Sequence, residues 1–143
     1  MRISTKGRYG IAVMVCLAER SAHQTAVDIA KKLGISKIYL EQVLSLLKNA
    51  GLVQSVKGSQ GGYFLDVSAD KITVSDILKA TETGLFERTE INFDSPSAYI
   101  EKAVQSTVWE PLDSFVGNLL NGITLQAVVE KSKTTGTGYM FYI

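Results

Sequence analysis

Lys37, Tyr39, Glu41 and Gln42, followed by Lys57, Ser59 and Gln60, are the side chains of this 143-residue chain whose types and spacing promise chemistry. That chemistry is recognition rather than bond making. Gln pairs with adenine, Lys donates to guanine or phosphate, and Glu accepts from cytosine N4. A carboxylate beside phosphates is costly, so Glu41 reads as a discriminator rather than a source of affinity. A reactive centre is hard to assemble from the rest. There is one His and one Cys, no Gly-x-Ser-x-Gly, no glycine-rich loop opening a helix and no cluster with zinc spacing. His23 falls in a loop and is expected to be an ordinary solvated imidazole. Cys16 lies on the apolar face of a helix and reads as a buried structural thiol rather than a redox sensor.

The elements that would hold these side chains can be read from periodicity and caps. Ser4 or Thr5 caps a first helix running to about Arg20, weakened at Gly7 and Gly10 where its first turn approaches another backbone. Thr25 and Asp28 form a capping box for a helix over 26–33 that Gly34 ends. Ser36 caps a third, in which Leu40, Val43, Leu44 and Leu47 make an i, i+3, i+4, i+7 core stripe. Lys37, Ile38, Glu41, Gln42, Ser45 and Lys48 take its opposite face. Gly51 ends that helix, and residues 52–65 read as two short strands around a glycine-rich cationic tip, because a tight hairpin needs φ > 0. A helix–turn–helix followed by a β-hairpin is a winged helix. The N-terminal part of the second helix of such a pair meets base edges, which places Ser36 with the four recognition residues above.

The second half has a different character. A fourth helix is predicted over 74–81, a polar loop over 83–97, a long helix over 97–120 in which Pro111 should make a kink or mark a change of direction, and a last helix over 124–131. Val104, Val108, Leu112, Phe115, Val116 and Leu119 line one side of the long helix, a stripe the small N-terminal core cannot absorb. It reads as a dimer interface, with folding back onto its own domain as the alternative. The expected organisation is a winged-helix domain over 1–82, a loop over 83–96, dimerisation helices over 97–133 and a flexible tail over 134–143: mainly α with a small β-hairpin.

Charge divides the chain in the same place. Residues 1–65 carry nine Lys/Arg against three Asp/Glu, whereas residues 66–143 carry six against eleven. This is the pattern of a basic nucleic-acid-binding half joined to an acidic half with another task. Arg2, Lys6 and Arg8, with Ser4 and Thr5, form a second polar-basic cluster at the first helix's N-terminus. Free N–H groups there favour phosphate, and non-specific surface charge is the competing reading. A 45% apolar composition with two prolines supports a folded core. No apolar run nears the roughly 18 residues a membrane span needs, no signal peptide is recognisable, and a lone Cys forms no intrachain disulfide, so a cytoplasmic location is expected.

Ile3-Ser-Thr-Lys-Gly-Arg-Tyr-Gly10, Tyr39-Leu-Glu-Gln42, Leu47-Lys-Asn-Ala-Gly-Leu-Val53 and Ser55-Val-Lys-Gly-Ser-Gln-Gly-Gly-Tyr63 resemble the Rrf-type (IscR/CymR) family of bacterial winged-helix regulators. Trp109 and Ile123-Thr-Leu125 fit the family's long helix and its successor, so the resemblance covers nearly the whole chain. It implies a homodimeric transcription regulator, not an enzyme, whose recognition helix and wing contact a palindromic operator in double-stranded DNA. The matching positions are Tyr39, Glu41 and Gln42 on the helix and residues 57–60 on the wing. Many members hold an iron–sulfur cluster on three cysteines before the long helix. Residues 84–108 contain none here, and the first helix has Arg8 and Ala12 where others use an acidic residue or a histidine, so no cluster is expected. The Tyr139-Met-Phe-Tyr-Ile143 ending resembles CymR-type repressors of cysteine metabolism. That likeness implies cysteine synthase (O-acetylserine sulfhydrylase) as a protein partner, held through Tyr142 and Ile143 by C-terminal peptide capture; packing of the aromatic tail on the dimer is the alternative. Two other classes stay open: a thiol- or cluster-based redox sensor on the same fold, and a winged-helix adaptor that binds no DNA.

Overall fold

Polar caps start the first three helices where the sequence places them. In the computed structural model, which describes residues 1–141, Ser4 caps α1 (Thr5–Ala18) by accepting from the Gly7 N–H. Thr25 caps α2 (Ala26–Leu33) by accepting from Asp28, and Ser36 caps α3 (Lys37–Asn49) by accepting from Tyr39. Each side chain satisfies an N–H that has no partner inside its helix. Gly34, at φ +67°, ends α2 in the left-handed conformation and turns the chain into α3. Helix α1 stops at Ala18, short of the expected Arg20.

The stripe on α3 is buried as its spacing requires. Leu40, Val43, Leu44 and Leu47 share one cluster with Val13, Met14 and Leu17 of α1 and Ile29 of α2. Strands β1 (Val53–Val56) and β2 (Gly62–Leu65) pair antiparallel, Val53 opposite Leu65 and Val56 opposite Gly62, leaving residues 57–61 as the tip. A 3-10 turn at Ala69–Lys71 leads to α4 (Val74–Thr81). Its capping box is complete: Thr73 accepts from Asp76 N–H, and Asp76 accepts from Thr73 N–H at 2.8 Å. Residues 83–97 carry only turns.

The second half departs from expectation in three ways. First, the long helix is α5 (Ala98–Val104), a π turn at Gln105–Trp109 and α6 (Glu110–Gly122), with the Glu110 N–H donating to the Gln105 carbonyl. Pro111 is the cause. It has no N–H and its ring would strike the carbonyl four residues back, so the widened turn absorbs the conflict ahead of it and the proline sits in the first turn of α6. Second, α7 runs from Leu125 to Phe141, so the stretch 134–141 expected as a flexible tail is helical. Thr134 and Thr135 donate their hydroxyls to the Glu130 and Lys131 carbonyls, and no proline interrupts the ladder. Third, the start of α7 belongs to the N-terminal core rather than to a separate dimerisation unit. Leu125 and Val129 lie in the same cluster as α1, Leu125 N–H donates to the Ile72 carbonyl at 2.8 Å, and Val74 N–H donates to the Ile123 carbonyl at 2.9 Å.

Candidate nucleic-acid interface

Burying one stripe of α3 pushes the other outward. Lys37, Ile38, Glu41, Gln42 and Ser45 are exposed on it, opposite Leu40, Val43, Leu44 and Leu47. Lys37 Nζ stands 3.5 Å from Glu41 Oε1. An exposed i, i+4 pair of this kind is worth only about 0.3–0.5 kcal/mol. It partly offsets the carboxylate's charge on this exposed face. Lys6, from the first turn of α1, borders the same open groove as Ile38, Glu41, Gln42 and Ser45. Lys6 alone of the basic cluster therefore meets the α3 face, which their separation in sequence does not reveal, whereas Arg2, Ser4, Thr5 and Arg8 line a separate cavity with Glu82.

Tyr39 differs from its neighbours. Its ring stands edge-on to Tyr9 with centroids 5.9 Å apart, and its hydroxyl is enclosed without a hydrogen-bond partner. The residue expected to face DNA instead braces α3 against α1, because position 39 falls at the edge of the buried stripe.

Lys57, Ser59 and Gln60 are exposed at the wing tip. Three glycines shape it. Gly58 has φ +107°, and a Cβ on Gly61 would lie 2.1 Å from the Val56 carbonyl oxygen. Gly62, at φ +149°, would set a Cβ 2.6 Å from the Gln24 carbonyl oxygen. That approach is needed because Gln24 and Tyr63 exchange two backbone hydrogen bonds, at 3.0 and 2.8 Å, pinning the loop before α2 to the wing. The buried Gln24 amide in turn donates to the Cys16 carbonyl at 2.7 Å, fastening this joint to α1. Lys48 Nζ donates to Ser55 Oγ at 2.7 Å and ties the end of α3 to β1. His23 is not simply solvated: it stacks on Phe64 of the wing, centroids 4.7 Å apart.

At the start of α1 the phosphate expectation needs correcting for Ser4. Its N–H and hydroxyl both donate to Glu82 Oε1, at 2.9 and 2.7 Å, so an internal carboxylate already occupies the anion-binding helix end. Arg2, Thr5, Lys6 and Arg8 stay exposed around it, with Arg8 reaching Thr5 Oγ1 at 3.5 Å.

Comparison with known proteins decides what this arrangement is. The family described as Rrf2, iron-dependent transcriptional regulator, matches residues 3–131. The chain belongs to the Rrf2 family. It is 36% identical over 145 residues to the HTH-type transcriptional regulator CymR of Bacillus subtilis, with all of both chains covered. The solved structure of CymR, the global cysteine regulator of B. subtilis, superposes with a TM-score of 0.76 at 34% identity, covering 92% of this chain and 98% of that one. IscR of T. potens does so with a TM-score of 0.74 at 32% identity, covering 99% and 97%. This Rrf2 chain is therefore a winged-helix transcription regulator and not an enzyme, and the family carries DNA binding with it.

The family's description names iron. Among the described residues no three His, Cys, Asp or Glu side chains gather where they could hold a metal. Cys16 is buried in the core, and burial pushes its thiol pKa up. Along the π turn and α6 the apolar stripe of this Rrf2 chain is largely uncovered: Phe115 is 68% exposed, Val108, Leu112 and Leu119 are also exposed, and Val116 and, at the end of α5, Val104 are half-buried. Tyr142 and Ile143 lie outside the described residues. No helix among the described residues is long and apolar enough to cross a membrane.

Proposed function

We propose that this regulator is a homodimeric repressor that occludes a promoter by binding a palindromic operator, one half-site to each protomer. The observation that carries the reading is the single groove on which Lys6 of α1 meets Glu41 and Gln42 of α3, beside a wing fastened to the same helix through Lys48 and Ser55. In it Gln42 and Glu41 read base edges, Lys37 and Lys6 meet phosphate, and Lys57, Ser59 and Gln60 grip the backbone or minor groove beside it. Tyr39 holds α3 in place. The exposed stripe of Val108 on the π turn and Leu112, Phe115 and Leu119 on α6, flanked by Val104 and Val116, joins two protomers so that two α3 helices meet half-sites about one helical turn apart.

Similarity to a global cysteine regulator supports cysteine and sulfur genes as the targets, and the resemblance of the chain's ending to CymR-type repressors makes cysteine synthase the partner, contacting Tyr142 and Ile143.

Selection of duplexes from a random pool by the full-length protein tests the DNA reading. A palindromic consensus bound at least about 10³-fold more tightly than scrambled DNA is expected, and no consensus would overturn it. Sedimentation should show a dimer that Phe115→Asp dissociates; an unchanged dimer would remove α6 as its interface. Purified cysteine synthase should bind the intact chain and not one ending at residue 138. Equal binding by both would remove the tail from the contact.

A further inference from the structure

Ile38 is 71% exposed, on the second residue of α3 and opposite the helix's buried stripe. Single exposed apolar residues are ordinary on protein surfaces. This one stands among polar groups: Lys37 precedes it, and Glu41 and Gln42 follow at i+3 and i+4 on the same groove, with Lys6 at its edge. The Lys37 and Glu41 side chains turn toward each other. What the N-terminal turn of α3 then presents to a base edge is a branched hydrocarbon flanked by hydrogen-bonding groups. A β-branched side chain in a helix is held almost wholly in one χ1 rotamer, so ordering it at an interface costs little entropy. The major-groove edge offers one apolar feature that such a group can recognise, the C5-methyl of thymine.

We infer that Ile38 is a specificity-determining residue that selects thymine, at one position of each half-site, by packing on its C5-methyl group. The inference rests on the DNA reading above and sharpens it. Gln42 and Glu41 discriminate by hydrogen bonds, whereas Ile38 discriminates by removing a methyl from water. It therefore tolerates 5-methylcytosine and rejects uracil, the reverse of a hydrogen-bond reader's preferences. The scale follows from burial of one methyl-sized group: about fourfold in affinity per half-site, or about 0.8 kcal/mol.

The test uses the full-length protein and a consensus duplex taken from the random pool. Each thymine in the half-sites is replaced in turn by uracil, which deletes the methyl and keeps every hydrogen-bonding atom. One symmetric pair of uracil substitutions should weaken wild-type binding roughly fifteenfold over both half-sites, and binding by Ile38→Ala should not respond to that pair. Ile38→Val, which keeps the branch, should retain the response. A wild-type protein indifferent to uracil at every thymine would overturn the inference. So would an Ile38→Ala protein that still senses the methyl, or one that loses affinity equally for thymine and uracil duplexes, the mark of packing on sugar or phosphate. Failure to obtain any consensus would overturn the DNA reading itself and the Ile38 contact with it, so the two failures are distinguishable.

Discussion

Glu82 Oε1 accepts from both the backbone N–H and the hydroxyl of Ser4, at 2.9 and 2.7 Å, closing the start of α1 with the residue that follows α4. The contact explains Gly7, where a Cβ would lie 2.2 Å from the same carboxylate oxygen. It also sets Arg2, Lys6 and Arg8 around a fixed helix end.

Hydrogen bonds to a charged acceptor are worth about 1.5–3 kcal/mol when buried, and less in this partly exposed setting. Glu82→Ala and Ser4→Ala are each expected to lower unfolding free energy by about 1 kcal/mol in urea titration. The double variant should cost clearly less than the sum, because the two residues serve one contact. Strict additivity would show that they act separately.

The Gln24–Tyr63 joint makes a sharper demand on its glycine. Gly62→Ala has to adopt φ +149° and push back the Gln24 backbone, whereas Gly58→Ala at φ +107° meets nothing within 4 Å. Backbone strain alone costs about 1–3 kcal/mol. Gly62→Ala should therefore destabilise by more than Gly58→Ala and expose the Gln24 and Tyr63 amides to hydrogen exchange. Equal losses and unchanged exchange would mean that the wing is not held at this joint.

Cys16 is 4% exposed, and desolvation, the largest influence on its thiol, raises the pKa. A neutral thiol is favoured by the folded state. That stability is fully present below the ordinary thiol pKa and is lost as pH rises through the raised folded value. Iodoacetamide should label the native protein much more slowly than the urea-unfolded chain, and Cys16→Ser should flatten the alkaline end of the stability profile. Rapid native labelling would favour the redox-sensor class.

Much of this was legible because it is local. Ser36 and Gly34 are caps and stops whose partners lie within a few residues, and the Leu40–Leu47 stripe needs only helical spacing. Glycines 58, 61 and 62 announced a hairpin tip by type alone. What stayed hidden depends on distant partners. Nothing near Ser4 points to Glu82, nothing near Gln24 points to Tyr63, and Leu125 gives no sign that its place is in the core of α1. At Pro111 the sequence shows a breaker, but not the form it takes, a π turn just ahead of the proline. Thr134 and Gly136 read as a linker on propensity, and the ladder of α7 overrides them. Ile38 was visible on the polar face of α3, yet only its exposure beside Glu41 and Gln42 marks it as a reader.

The central claim is that α3 reads sequence while the wing supplies backbone contact, and salt dependence of operator affinity tests it most directly. Fluorescence anisotropy would compare wild type, Glu41→Ala and Lys57→Ala on the selected operator and on single-base variants. Lys57→Ala should weaken all duplexes alike and reduce the slope of log K against log salt by about 1 per protomer. Glu41→Ala should keep the wild-type slope and near wild-type affinity while losing discrimination at one base pair of each half-site. Identical behaviour of the two variants, or wild-type binding equal on operator and scrambled DNA, would contradict the division of labour between α3 and the wing.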